Sequence, residues 1–267
     1  MPRTGRRRLR DVPTANAASP TAPDNGQAMK RILVIGASRG IGLEVVRHGV
    51  RSGYAVRAFA RSADRIPGSG STLEKCVGSA TDTGDVAAAL SGVDAVIMTL
   101  GVRFGPETLL GPIRLFSAAT RTVVPAMERA GVRRLICVTG FGAGDSFRAV
   151  GCGESIPFRF LLGRAYADKD LQERIIQDSR LDWTIVRPVL LVHGPRTGCY
   201  EALGSPQDWR NGIISRADVA DFLIKQIDDN GWLRQSPVLR AHLPWPFPAN
   251  EGYRRALRPR GLRPDLS

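Results

Sequence analysis

No apolar run in this 267-residue chain approaches the roughly 18 residues that a membrane-spanning helix needs, so no span is expected. The four cysteines, Cys76, Cys137, Cys152 and Cys199, show neither a CxxC pair nor zinc-type spacing. They read as free thiols of an intracellular protein, with no metal site. Residues 1–28 lack the apolar core of a secretory signal. No internal repeat is visible, and acidic residues are outnumbered, 25 against 38 basic ones. The resulting charge of +13 is uneven: residues 1–28 and 251–267 each carry +3, leaving +7 for the long segment between. Because much of the excess sits in the two ends, it is weak support for a nucleic-acid surface, and no nucleic-acid partner is expected. A basic body suits an anionic small molecule. With 43% hydrophobic residues, the chain is large enough for one sizeable core.

The segment KRILVIGASRGIG, residues 30–42, is the strongest positive signal. Ile32 to Ile35 form a short branched run, the mark of a strand buried on both faces. Gly36, Gly40 and Gly42 follow at once, and Ile41, Val45 and Val46 then recur at helical spacing. A strand, a glycine turn and a helix start in that order make a pyrophosphate site. The helix start offers unpaired N–H groups and partial positive charge, and glycine lets the backbone approach the phosphates closely. Ala37, Ser38, Arg39 and Ile41 complete the candidate loop.

Strand and helix patterns alternate from Lys30 to about Asp229. Strands are expected at 31–36, 55–60, 73–77, 94–99, 134–139 and 183–187. Helices are expected at 41–52, 84–91, 111–130, 167–179 and 216–228, the last capped by Ser215. This rhythm predicts a single α/β domain over 29–242, a Rossmann-type doubly wound parallel sheet with helices on both faces. Residues 1–28 are expected to be a disordered basic tail, or a region preceding a start at Met29, with an organelle transit peptide as the alternative. Pro and Arg dominate the end of the chain, so 243–267 is expected to be an irregular tail. The longest irregular stretch is expected at 140–165, where a substrate pocket would be built.

Ligands in such sheets lie at the carboxyl ends of the strands. The second strand ends at Arg61-Ser62, where an acidic residue would favour a free ribose 2′-hydroxyl. A guanidinium instead pairs with a 2′-phosphate. With Arg39 expected at the same corner, NADP(H) is preferred over NAD(H). Asp82 after the third strand either accepts from the adenine amino group or caps the helix that begins beside it, with capping the stronger reading. Thr99, Leu100 and Gly101 end the fourth strand toward the nicotinamide side, and Thr139 ends the fifth beside Gly140.

The chain from Lys30 to about Asp229 resembles the atypical short-chain dehydrogenase/reductases, and most of all the NAD(P)H-binding group of NmrA-like proteins and biliverdin-IXβ or flavin reductases. The resemblance rests on GASRGIG at 36–42, DAVIMTLG at 94–101, GVRRLICVTGFG at 131–142, ISRADVA at 214–220 and, above all, DKDLQERIIQDSRLDWTIVRP at 168–188. It implies that Lys169 holds the nicotinamide ribose and that Pro188 lies near the carboxamide, with Arg187 structural. Relatives often carry Tyr-x-x-x-Lys on this helix. Here Ala165 stands four residues before Lys169, and Tyr166 stands three before it. An i,i+3 pair still shares a face, so Tyr166 is the candidate acid, with a packing or gating role as its alternative. The alternative for Lys169 is a surface salt bridge with Asp170 or with Glu173, which stands at i+4 from it. His193 reads as an exposed loop residue.

The leading expectation is a cytoplasmic NADPH-dependent oxidoreductase, a monomer or homodimer. Its substrate would be a small conjugated acceptor such as a flavin, quinone, tetrapyrrole-like molecule or carbonyl. The alternative is an NmrA-like sensor that binds NAD(P) without turnover. An assembly factor that uses the fold without cofactor fits the intact glycine loop poorly.

Overall fold

The computed structural model describes residues 29–102, 113–149 and 152–242, with side chains left out over 147–149 and 152–164. Both expected tails therefore lie outside the described residues, as does most of the 102–112 loop. The central sheet has eight strands in the order β3-β2-β1-β4-β5-β6-β10-β8. They are β1 (Arg31–Ile35), β2 (Ala55–Ala60), β3 (Leu73–Val77), β4 (Ala95–Met98), β5 (Arg134–Val138), β6 (Asp182–Pro188), β8 (Tyr200–Leu203) and β10 (Val238–Ala241). All neighbours are parallel except β8, which runs antiparallel to β10. A second, two-stranded parallel sheet joins β7 (Leu190–Val192) to β9 (Ile213–Ser215).

The helices are α1 (Gly40–Arg51), α2 (Thr83–Ala89), α3 (Leu115–Ala130), α4 (Cys152–Gln177) and α5 (Arg216–Lys225). Strand alternation sends side chains to two separate cores. From β1, Ile32 and Val34 pack with Val45 and Val46 of α1 and with Val219 and Leu223 of α5. Leu33 and Ile35 pack on the other face with Val86 of α2 and with Val123 and Met127 of α3. Because both faces are covered, the central strands read as continuous apolar runs rather than alternating ones. Ser215 caps α5 by accepting the Asp218 N–H at 3.0 Å, as its sequence position predicts. Among the described residues, no helix is long and apolar enough to cross a membrane.

Two expectations need correction. The helix expected at 167–179 begins at Cys152, so Tyr166 lies within it and not at its start. The stretch 140–165 is consequently not irregular throughout: it holds a 3-10 turn over Gly144–Ala149 and the first half of α4. The other helices fall within a few residues of expectation. The late strands β7 to β10 are additions, and two of them lie within a region expected to form loops.

Candidate active site

Strand order turns back at the gap between β1 and β4, and the crevice at their carboxyl ends is where a doubly wound sheet takes its ligand. The glycine loop sits on that crevice. Gly36, at φ +86°, donates its N–H to the Phe59 carbonyl at 3.0 Å. A Cβ on Gly36 would lie 2.8 Å from the Thr99 carbonyl oxygen, and one on Gly42 only 2.2 Å from the Gly36 oxygen. These two glycines let α1 close onto the strand ends. Thr99 completes the joint: its hydroxyl donates to the Ile35 carbonyl at 3.0 Å, beside Gly42. Ala37 is buried, while Ser38 and Ile41 are half-buried.

The first turn of α1 carries no side-chain cap from Arg39. Its leading N–H groups lack the partners that a helix interior supplies. A Cβ on Gly40 would meet nothing within 4 Å. Open space in front of uncapped N–H groups is what a pyrophosphate requires, and these residues fit a dinucleotide.

The adenosine side is partly as expected. Arg61 is exposed at the end of β2, with Ser62 half-buried beside it. Arg39, however, donates from Nη2 to the Gly101 carbonyl at 3.3 Å. That contact is on the β4 side of the loop, whereas Arg61 follows β2. Asp82 caps α2, its Oδ1 accepting the Asp85 N–H at 2.9 Å. Of the two roles weighed for Asp82, capping is the one the structure shows. Leu100 is half-buried against the α2–α3 core, and Gly101 stands open, with nothing within 4 Å of a Cβ built on it.

The nicotinamide side brings β5, β6 and α4 together. Lys169 Nζ donates to the Thr139 carbonyl, and its charge stands over the rings of Phe116 at 5.2 Å and Tyr166 at 5.5 Å. A Cβ built on Gly140 would lie 3.1 Å from Tyr166 Oη and 3.5 Å from Lys169 Nζ. Both heads therefore converge on Gly140. Burial lowers the Lys169 ammonium to about 8, against support from Cys137 and Glu173. It pushes the Tyr166 phenol up to about 12 and the Cys137 thiol well above its usual range. The phenol is thus a donor rather than a base, and the lysine changes charge near neutrality. Pro188 is buried at the end of β6, and its carbonyl accepts the Phe141 N–H at 2.9 Å.

Glu173 does not pair with Lys169. Its Oε1 accepts from Thr139 Oγ1 at 2.6 Å and from Arg187 Nε at 3.1 Å, and its Oε2 accepts from Arg187 Nη2 at 2.6 Å. The correction is a matter of geometry: a guanidinium fork matches a carboxylate better than a single ammonium does. Burial works against the Arg187 charge, but Glu173 and then Asp145 outweigh it and hold the group above its usual value. Arg187 Cζ also lies 5.3 Å from the centre of the Trp209 ring. Asp168 is a further residue that the sequence did not single out. From α4 it caps α3, its Oδ2 accepting the N–H groups of Phe116 at 2.8 Å and Ser117 at 3.3 Å. His193 is exposed.

A doubly wound sheet with an open glycine loop at its switch point defines a dinucleotide-binding protein of the Rossmann class. The chain belongs to the NAD(P)H-binding family, whose model matches residues 36–230. It is 30% identical over 208 residues to the uncharacterized sugar epimerase YhfK of Bacillus subtilis, a match spanning 74% of this chain and 88% of that protein. An uncharacterized chloroplastic protein of Arabidopsis thaliana is 26% identical over 229 residues, 83% of this chain and 81% of the relative. Among solved structures, the anaerobilin reductase ChuY from Escherichia coli O157:H7 superposes with a TM-score of 0.65 at 28% identity, covering 79% of this chain and 97% of its own.

Proposed function

We propose that the protein is an NADPH-dependent reductase of the atypical short-chain dehydrogenase/reductase type, acting on a small conjugated acceptor. The observation that carries this reading is the convergence of Tyr166 Oη and Lys169 Nζ on Gly140, at the carboxyl end of β5. Membership of an NAD(P)H-binding family and the likeness to an anaerobilin reductase support it.

In this reading the uncapped start of α1 and the loop from Gly36 to Gly42 hold the pyrophosphate. Arg61, with Ser62, holds the 2′-phosphate. Thr99, Leu100 and Gly101 line the nicotinamide-side ribose, and Lys169 donates to its hydroxyls from the ledge of the Thr139 carbonyl. Pro188 borders the carboxamide. When bound, the cofactor supplies hydride, the chemistry that no side chain provides. Tyr166 keeps its proton across the working pH range and is placed to donate it to the acceptor. A serine at position 140 would occupy the space between the two heads. Glycine leaves that space for a flat acceptor.

The direct test is to mix the protein with NADPH and a panel of flavin, quinone, biliverdin and simple carbonyl acceptors, following absorbance at the nicotinamide band. Oxidation with at least one conjugated acceptor is expected. Tight NADPH binding without oxidation across the panel would overturn the reductase reading in favour of a redox sensor. The cofactor preference has its own test. Hydrogen bonds to charged groups contribute about 1.5–3 kcal/mol, so Arg61→Ala should weaken NADPH by roughly ten- to a hundredfold and leave NADH nearly unchanged. Equal losses for both cofactors, measured by fluorescence titration, would remove the 2′-phosphate assignment.

A further inference from the structure

The carboxylate one turn on from Lys169 along its own helix is turned away from it. Glu173 stands four residues on from Lys169 in α4, the spacing at which a lysine and a glutamate ordinarily pair across one turn. The two heads even meet at one residue. Lys169 donates to the carbonyl of Thr139, and Glu173 accepts from its hydroxyl. Both remaining contacts of Glu173 go to the Arg187 fork, with the paired side chains 2% and 1% exposed. A buried carboxylate cannot stay charged without a cation. Without Arg187, Lys169 is the cation that the helix offers it.

We infer that Arg187 is a positioning residue that sequesters Glu173, keeping the Lys169 ammonium free to face the Gly140 side of the site. This inference rests on the proposed role of Lys169 at the cofactor ribose. The surrounding loop is built over the sequestered pair. A Cβ on Gly144, which has φ +58°, would lie 2.4 Å from Glu173 Oε2 and 2.6 Å from Arg187 Nη2. The Gly144 N–H is held by Asp170 Oδ1 at 2.6 Å. Asp145 Oδ1 lies 2.6 Å from Arg187 Nη1 as an ion pair, but its carboxylate is 66% exposed. Glu173 is therefore the buried partner that satisfies the guanidinium. The groups facing Lys169 are Tyr166 and Glu173 from α4, Cys137 and the Thr139 carbonyl from the β5 strand end, and the Phe116 ring from α3. Cys137 stays neutral through burial. Glu173 is the carboxylate of this set, and whichever cation holds it sets the local balance of charge.

The test compares Arg187→Met with the double variant Arg187→Met/Glu173→Gln. Two readouts are used: NADPH affinity by fluorescence titration, and the titration of Lys169 followed by carbon NMR of its side chain. In Arg187→Met the released carboxylate is expected to pair with Lys169. NADPH should then bind about tenfold more weakly, and Lys169 should titrate higher by about one pH unit or more. The double variant should return NADPH affinity to near wild type and bring the Lys169 titration back down to the wild-type value or below it. A folded Arg187→Met protein with an unchanged Lys169 titration would overturn the inference. If the single variant does not fold, the double variant decides alone, because it leaves no buried charge. NADPH affinity near wild type is expected there, and a loss of about tenfold or more would overturn the inference. Lys169→Met separates the two claims. If it leaves NADPH affinity unchanged, the ribose role fails, while the titration of Lys169 in the Arg187 variants still reports on sequestration.

Discussion

Gly42→Ala is expected to abolish most NADPH binding and to lower the melting temperature together. The added Cβ would sit 2.2 Å from the Gly36 carbonyl oxygen and 2.6 Å from Thr99 Oγ1. The first neighbour is backbone and cannot swing aside. Relief requires α1 to lift away from the strand ends, and that movement displaces the N–H groups meant for the pyrophosphate. Overpacking of this kind costs typically about 1–3 kcal/mol, which at the loop corresponds to roughly ten- to a hundredfold in cofactor affinity. Gly101→Ala is the informative contrast. Among the described residues a Cβ there meets nothing within 4 Å, and Gly101 has no positive φ. It should melt like the wild type, so any loss of NADPH affinity would report cofactor contact alone. An unchanged affinity and melting point in Gly42→Ala would show that the loop does not need this close approach.

The second large effect is at Tyr166. With the acceptor found by the panel, Tyr166→Phe should lower turnover by about a hundredfold to ten-thousandfold, the range for a placed general acid, and leave NADPH affinity nearly intact. The pH dependence separates it from Lys169. The phenol lies at about 12, so it stays protonated from pH 5 to 10 and contributes no limb there. The lysine lies at about 8. Below that pH it is an ammonium and holds the ribose. As pH rises through about 8 it loses its charge, and kcat/KM should fall. The alkaline limb should persist in Tyr166→Phe at a lower rate and vanish in Lys169→Met. A flat wild-type profile between pH 6 and 10 would count against the lysine's role, and full turnover in Tyr166→Phe would leave solvent as the proton source.

Legibility in the sequence followed the range of the interactions. The unit of β1, glycine loop and α1 is local. Its branched run, three glycines and helical spacing lie within a score of residues, and the expected bounds match Arg31–Ile35 and Gly40–Arg51 closely. The start of α4 was hidden because Gly153, Pro157 and Gly163 interrupt the helical pattern between Cys152 and Tyr166. Glycine and proline are poor helix formers, so propensity along the chain places the start of the helix too late. Strands β7 to β10 span only three or four residues each, too short for alternation to register. The pairing of Glu173 with Arg187 joins a helix to a strand. Spacing along α4 alone pointed to Lys169, because i,i+4 is the only partner a one-dimensional pattern can propose.

The Asp168 cap gives the site a rotational lock. Asp168 and Lys169 are neighbours on α4, about 100° apart around the helix axis, and each is committed to a different structure. One holds the first N–H groups of α3, and the other holds the strand end at Thr139. Turning α4 to retract the lysine would strip the cap from α3, and sliding it would strain both bonds at once. The reach of Lys169 and Tyr166 is thereby set before any ligand arrives, so binding need not supply the ordering of these two side chains.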